Sequence, residues 1–295
     1  MATKQYKRRV ALFLAWVGDP QKTSKKQDPM GINKEMEGLR RVLANGYGFD
    51  IFVHRIELYS PMLAVRDKVR RFIRAYSNPD TLLLLYYGGH GSYNVRDGLL
   101  WMASSRPIPG LAEAHSSFAC RYVLEDLVRA SSDVLILLCC CDAVPNDPNM
   151  AINCISNGGT TEVIAACTVG HRTTAEYAPQ VISLLEKRFV SGQHTTIRHV
   201  NSDLPKGLDR LTEGIFGRGR RLPARRKFSE AAYLQLHGAS PKDSIVLTPV
   251  VITPMFAEEP RFAKTSWVAR FSRMCGYGPL DHWKAVSAEA TGHIY

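Results

Sequence analysis

Ser132 to Ala143 read SDVLILLCCCDA. Five consecutive apolar residues, Val134 to Leu138, suit a strand buried on both faces, as interior strands of helix-covered parallel sheets are. The run stops at Cys139, Cys140, Cys141 and Asp142, where such a strand surfaces. Side chains alternate along a strand, so Cys139 and Cys141 share one face and Cys140 takes the other. Periodicity does not choose the reactive thiol among them; proximity to the loop favours Cys141.

Outward from this stretch, the chain alternates strand and helix signals. Val10 to Val17 is an apolar strand-like run ended by Gly18-Asp19-Pro20. Met36, Leu39, Val42 and Leu43 recur at helical spacing before Gly46 and Gly48. Phe49 to Leu58 alternates as an edge strand would, and Val65, Val69, Phe72, Ile73 and Tyr76 stripe a second helix. Thr81 to Tyr87 (TLLLLYY) is a further buried strand, ending in Gly88-Gly89-His90-Gly91. Gly98 to Ala103 suits a hairpin arm, Phe118 to Ala130 a helix, Glu162 to Thr168 a fifth strand, and Tyr177 to Leu185 a helix. Ala232 to Leu236 and Ser244 to Thr248 are late strand candidates. This order predicts a three-layer α/β domain over residues 8 to 250, with a mainly parallel sheet and helices on both faces. Residues 251 to 295 form an extension of weak periodicity.

Composition narrows the setting. The 295 residues carry a formal charge of +11, which favours acidic partners without naming a reaction. Basic charge alone supports only non-specific, salt-sensitive nucleic-acid association, and nucleic acid is not the expected partner. Seven cysteines, three of them adjacent, argue against a disulfide framework and for a cytoplasmic setting. Cys120, Cys154, Cys167 and Cys275 stand singly, without zinc-ligand spacing, so no metal is expected. Val10 to Val17 is too short for a signal core or a membrane span.

Parallel sheets bind ligands beyond the carboxyl ends of their strands, which puts His90-Gly91 and Cys139 to Asp142 on one rim. A thiol becomes a nucleophile when a neighbour takes its proton, and histidine is the usual partner. With strands about 4.8 Å apart, adjacent strand ends bring two such side chains across one gap. Gly91 can let the backbone approach a substrate carbonyl, its N–H and that of Cys141 serving an oxyanion.

YYGGHG (Tyr86 to Gly91) after one strand and LLCCCDA (Leu137 to Ala143) after another resemble the histidine and cysteine blocks of the caspase and metacaspase superfamily. EVIAACTVGHRT is similar to that family's next strand, and AAYLQLHGASPKDSIVLTPV resembles the closing segment of caspase-domain proteins of filamentous fungi. The resemblance spans residues 8 to 250. It implies a caspase-like six-stranded sheet and cysteine endopeptidase activity on proteins or peptides, in regulated proteolysis or cell-death signalling with its signalling partners. It further implies His90 as general acid/base, Cys141 as nucleophile and Gly91 in the oxyanion hole. No cofactor is implied, and calcium dependence stays open although no dense carboxylate loop is visible.

Two departures stand out. Metacaspases usually carry an acid two residues before the nucleophile, lining a pocket for a basic substrate residue; this chain has Cys139. Asp142 follows Cys141 where histidine is common, placing negative charge beside the thiolate. Glu35 matches a second acidic pocket position, or else stabilises the start of its own helix. The linker after the cysteine strand has no basic residue, so self-processing at basic residues would fall in the loop holding Arg218, Arg220, Arg221, Arg225 and Arg226. The alternative to a peptidase is an inactive scaffold of the same fold that binds protein partners.

Overall fold

The computed structural model describes residues 4–17, 32–94, 96–104, 108, 110–144, 158–171, 173, 177–204, 231–238 and 244–250. The chain divides into units of residues 1–251 and 252–295, and every described residue lies in the first.

The strands, in chain order, are β1 (Arg8–Trp16), β2 (Asp50–Ile56), β3 (Thr81–Gly88), β4 (His90–Asn94), β5 (Gly98–Met102), β6 (Ser117–Ala119), β7 (Asp133–Cys139), β8 (Thr161–Ala165), β9 (Thr195–Thr196), β10 (Ala232–His237) and β11 (Val246–Leu247). The helices are α1 (Ile32–Arg41), α2 (Pro61–Tyr76), α3 (Glu113–Ser116), α4 (Arg121–Val128), α5 (Tyr177–Val190) and α6 (Ile197–Asp203), with a π-helical turn at Val42–Gly46 extending α1. Six strands form the main sheet in the order β10-β8-β7-β3-β1-β2. All neighbours are parallel except β10, which runs antiparallel to β8.

The interior strands are apolar on both sides because both sides are covered. Every residue of β3 is buried. Leu82, Leu84 and Tyr86 face a core shared with α1, its π-turn, α5 and α6, whereas Leu83, Leu85 and Tyr87 face a core shared with α2 and α4. In β7 Leu135 and Leu137 join the first core, and Val134, Ile136 and Leu138 the second. Each such side chain contributes about 2 kcal/mol through burial. This is the expected three-layer arrangement.

Local departures have identifiable causes. The helix expected from Phe118 begins only at Arg121, because Ser117–Ala119 pair with β5 as a strand. Of Ser244 to Thr248, only Val246–Leu247 form a strand, and they pair with β9 outside the main sheet. Glu162, fully buried at the start of β8, accepts hydrogen bonds from the Tyr233 hydroxyl, the Ser244 hydroxyl and the Ile245 N–H. That carboxylate therefore ties the late segment to the sheet. His90, just past the end of the apolar run, opens β4 and pairs antiparallel with Met102 in a small sheet of β4, β5 and β6.

Candidate active site

β3 and β7 are neighbours in the sheet, with Gly88 paired to Cys139 at their last residues. The Gly89 N–H donates to the Cys139 carbonyl at 3.3 Å, extending the pairing past the strand end. His90 and Cys141 thus each stand two residues beyond an aligned pair, on the carboxyl rim. A Cβ built on Gly91 would lie 2.2 Å from the Cys141 carbonyl oxygen and 3.0 Å from Cys140 Sγ. The glycine is required because the nucleophile candidate's own backbone fills the space a side chain would take.

Two tyrosines precede these glycines, one on each face of β3. A ring laid along a strand covers the position two residues on, so that position has to lack a Cβ. The Cβ of an alanine at Gly88 would come within 2.6 Å of the Tyr86 hydroxyl, and one at Gly89 within 2.7 Å of the Tyr87 hydroxyl. Tyr87 stacks on Trp101 with centroids 4.2 Å apart and planes 7° apart. Its hydroxyl accepts from Trp16 Nε1 at 3.1 Å and donates to the His90 carbonyl at 2.8 Å.

The three adjacent cysteines divide as strand alternation demands. Cys139 packs against the α1-side core, and Cys140 is fully buried in the α2-side core. Burial pushes the Cys140 thiol well above its ordinary pKa, helped by the neighbouring thiols of Cys120 and Cys167. Cys139 is also pushed up, first by desolvation and then by the Glu35 carboxylate. Cys141, half-buried past the strand end, belongs to neither core.

Glu35 lies on α1, the helix that covers the Cys139 side of the sheet. Its charge acts on both Cys139 and the Tyr86 hydroxyl, and Tyr177 from α5 belongs to the core against which Cys139 packs. Glu35, Cys139, Tyr86 and Tyr177 therefore share the α1 side of the rim. Tyr177 carries no motif, and only its register on α5 brings it here.

Asp142 has a left-handed backbone, φ 51°. Its carboxylate accepts the Gly170 N–H at 2.7 Å, and its own N–H donates to the His171 carbonyl at 3.2 Å. Cys167 Sγ lies within donating distance of the carbonyls of Cys140 and His171, at 3.3 and 3.4 Å, with its one proton shared between them. Burial pushes the Cys167 thiol up to about 11. The turn after β7 is thus laced to the turn after β8. Its partners Gly170 and His171 have no sequence signal pointing to it.

Arg218, Arg220, Arg221, Arg225 and Arg226 lie outside the described residues. Among the described residues no group of three His, Cys, Asp or Glu side chains is placed to hold a metal ion, and no helix is long and apolar enough to cross a membrane.

No protein-family model matches the chain, and no curated protein matches it in sequence. Its structure is similar to the crystal structure of caspase-1 from Spodoptera frugiperda, with a TM-score of 0.50 and 12% identity over 78% of this chain and 90% of that one. It is also similar to the Drosophila initiator caspase Dronc, with a TM-score of 0.45 and 13% identity over 79% of this chain and 82% of that one. At such identities the likeness concerns the fold alone. The six-stranded, mainly parallel sheet with helices on both faces is a caspase-like fold.

Proposed function

We propose that the protein is a cysteine endopeptidase of caspase or metacaspase type, with Cys141 as nucleophile and His90 as general acid/base. The observation that carries the reading is the close approach of Gly91, beside the histidine, to the Cys141 carbonyl on two register-matched strand ends. His90 would take the thiol proton, and the sulfur would add to the scissile carbonyl to give a tetrahedral intermediate. Collapse to a thioester releases the amine, which receives its proton from His90; water then adds, and the thiolate leaves. The N–H groups of Gly91 and Cys141 serve the oxyanion in this scheme. No step needs a cofactor. A cytoplasmic role in regulated proteolysis or cell-death signalling goes with the reading.

The second reading, a scaffold of the same fold without activity, is favoured by Cys139 standing where metacaspases carry an acid. A peptide bearing a thiol-reactive electrophile separates the two. The peptidase reading expects labelling of the wild type and none of Cys141→Ala. Labelling that persists in Cys141→Ala defeats the assignment, and an unlabelled wild type favours the scaffold.

A further inference from the structure

His90 O is held from two sides. Leu99 O and the Ala103 N–H bond toward the β6 side of β5, so the polar groups of Met102 turn to β4, where it pairs with His90. From the main sheet comes the Tyr87 hydroxyl, 2.8 Å from the same carbonyl. A hydroxyl has one proton to give. Trp16 Nε1 donates to Tyr87, and Met102 O is 3.5 Å away, so the proton belongs on His90 O. The phenol ring itself is fixed, fully buried and stacked on Trp101.

We propose that Tyr87 is a positioning residue, setting through the His90 carbonyl the direction of both the His90 side chain and the Gly91 N–H. The two share one peptide unit. In a trans peptide the carbonyl and the following N–H point opposite ways, and the described chain has no cis bond. Pinning His90 O therefore aims the Gly91 N–H away from Tyr87 and away from β5. The chain passes from the main sheet to the small sheet at Gly89, whose N–H still bonds to the Cys139 carbonyl, and the phenol adds a tie from β3 to His90 itself. Gly89 is the glycine that lets the hydroxyl through, since a Cβ there would stand 2.7 Å from it. The consequence for catalysis rests on the peptidase reading above; the geometric claim does not.

Tyr87→Phe tests it by removing one oxygen and keeping the stacked ring. On the peptide that wild type cleaves fastest in a P1-varied library, kcat is expected to fall about tenfold with KM unchanged, the loss of one well-placed hydrogen bond. In protein carrying 13C-labelled histidine, the His90 ring resonance is expected to shift or broaden while those of His54 and His171 stay in place. Gly89→Ala, which displaces the hydroxyl, is expected to give the same pattern and supplies the test should Tyr87→Phe fold poorly. The double variant is expected to lose no more than the worse single one, since both act through one bond. Wild-type kcat together with an unmoved His90 resonance overturns the proposal. Should the wild type neither cleave peptides nor label at Cys141, the peptidase reading fails, and the His90 resonance still decides whether Tyr87 positions the ring.

Discussion

Glu35, on the first turn of α1, acts through space on Cys139 at the end of β7, and its carboxylate adds to burial in raising the thiol's pKa. The sign is testable. Glu35→Gln removes a negative charge, lowers the Cys139 pKa and raises its thiolate fraction at any pH below it. In a Cys141→Ala background, Cys139 is expected to react with a small alkylating reagent severalfold faster after that change, read by mass spectrometry of the modified peptide. An unchanged or slower rate would place Glu35 too far away to act.

Gly91→Ala puts a methyl group 2.2 Å from the Cys141 carbonyl oxygen, backbone against backbone, where no rotamer change relieves it. The expected cost is about 3 kcal/mol of stability, with probe labelling of Cys141 lost even at temperatures where the variant stays folded. Urea denaturation and labelling, measured side by side, separate the two effects. Retained labelling at wild-type stability would disprove the close approach.

Asp142 combines a left-handed backbone with an accepting carboxylate, and asparagine can reproduce both. Asp142→Asn is expected to stay within about 0.5 kcal/mol of wild type, whereas Asp142→Ala loses the Gly170 bond and strains the backbone, for about 2 kcal/mol. Chemical denaturation of both variants checks this. If the carboxylate's charge, rather than its geometry, holds the turn, asparagine will fare as badly as alanine.

Burial raises the pKa values of Cys120, Cys139, Cys140 and Cys167, and of Tyr86, Tyr87 and Tyr177. A group whose folded pKa exceeds its unfolded one stabilises fully below the unfolded value and loses that contribution as pH climbs toward the folded value. For thiols the loss starts near pH 8.5, at about 1.4 kcal/mol per pH unit for each group. The melting temperature is expected to hold from pH 7 to 8 and to fall steeply from pH 9 to 10. A level profile through pH 10 would contradict the buried, neutral thiols.

The fold was legible because its interior strands are short apolar runs with abrupt ends, and TLLLLYY and SDVLILL have no other comfortable place than a covered parallel sheet. Their adjacency is a condition that the apolar runs alone do not impose, and the Gly88 to Cys139 pairing meets it. His90 was harder to place. Its strand character comes from antiparallel pairing with Met102; Gly98 to Ala103 reads as a hairpin arm, but the other arm, HGSYN, carries no apolar run of its own. Ser117–Ala119 were hidden because pairing with β5 overrides a helical stripe. Glu35 gave an acidic match without geometry, whereas nothing marks Tyr177, Gly170 and His171 as rim residues, because their roles lie in contacts of side chain and turn. The double glycine after the tyrosines is space for two phenols.

Those phenols leave β3 on opposite faces, and each is matched to its own glycine. Tyr86 with Gly88 belongs to the side holding Cys139 and Glu35; Tyr87 with Gly89 belongs to the side that grips His90. Change at one pair need not propagate to the other. Within four consecutive letters the chain thus has two separately adjustable modules, so that drift or selection can reshape one wall of the rim by paired replacement while the histidine's mounting stays as it is.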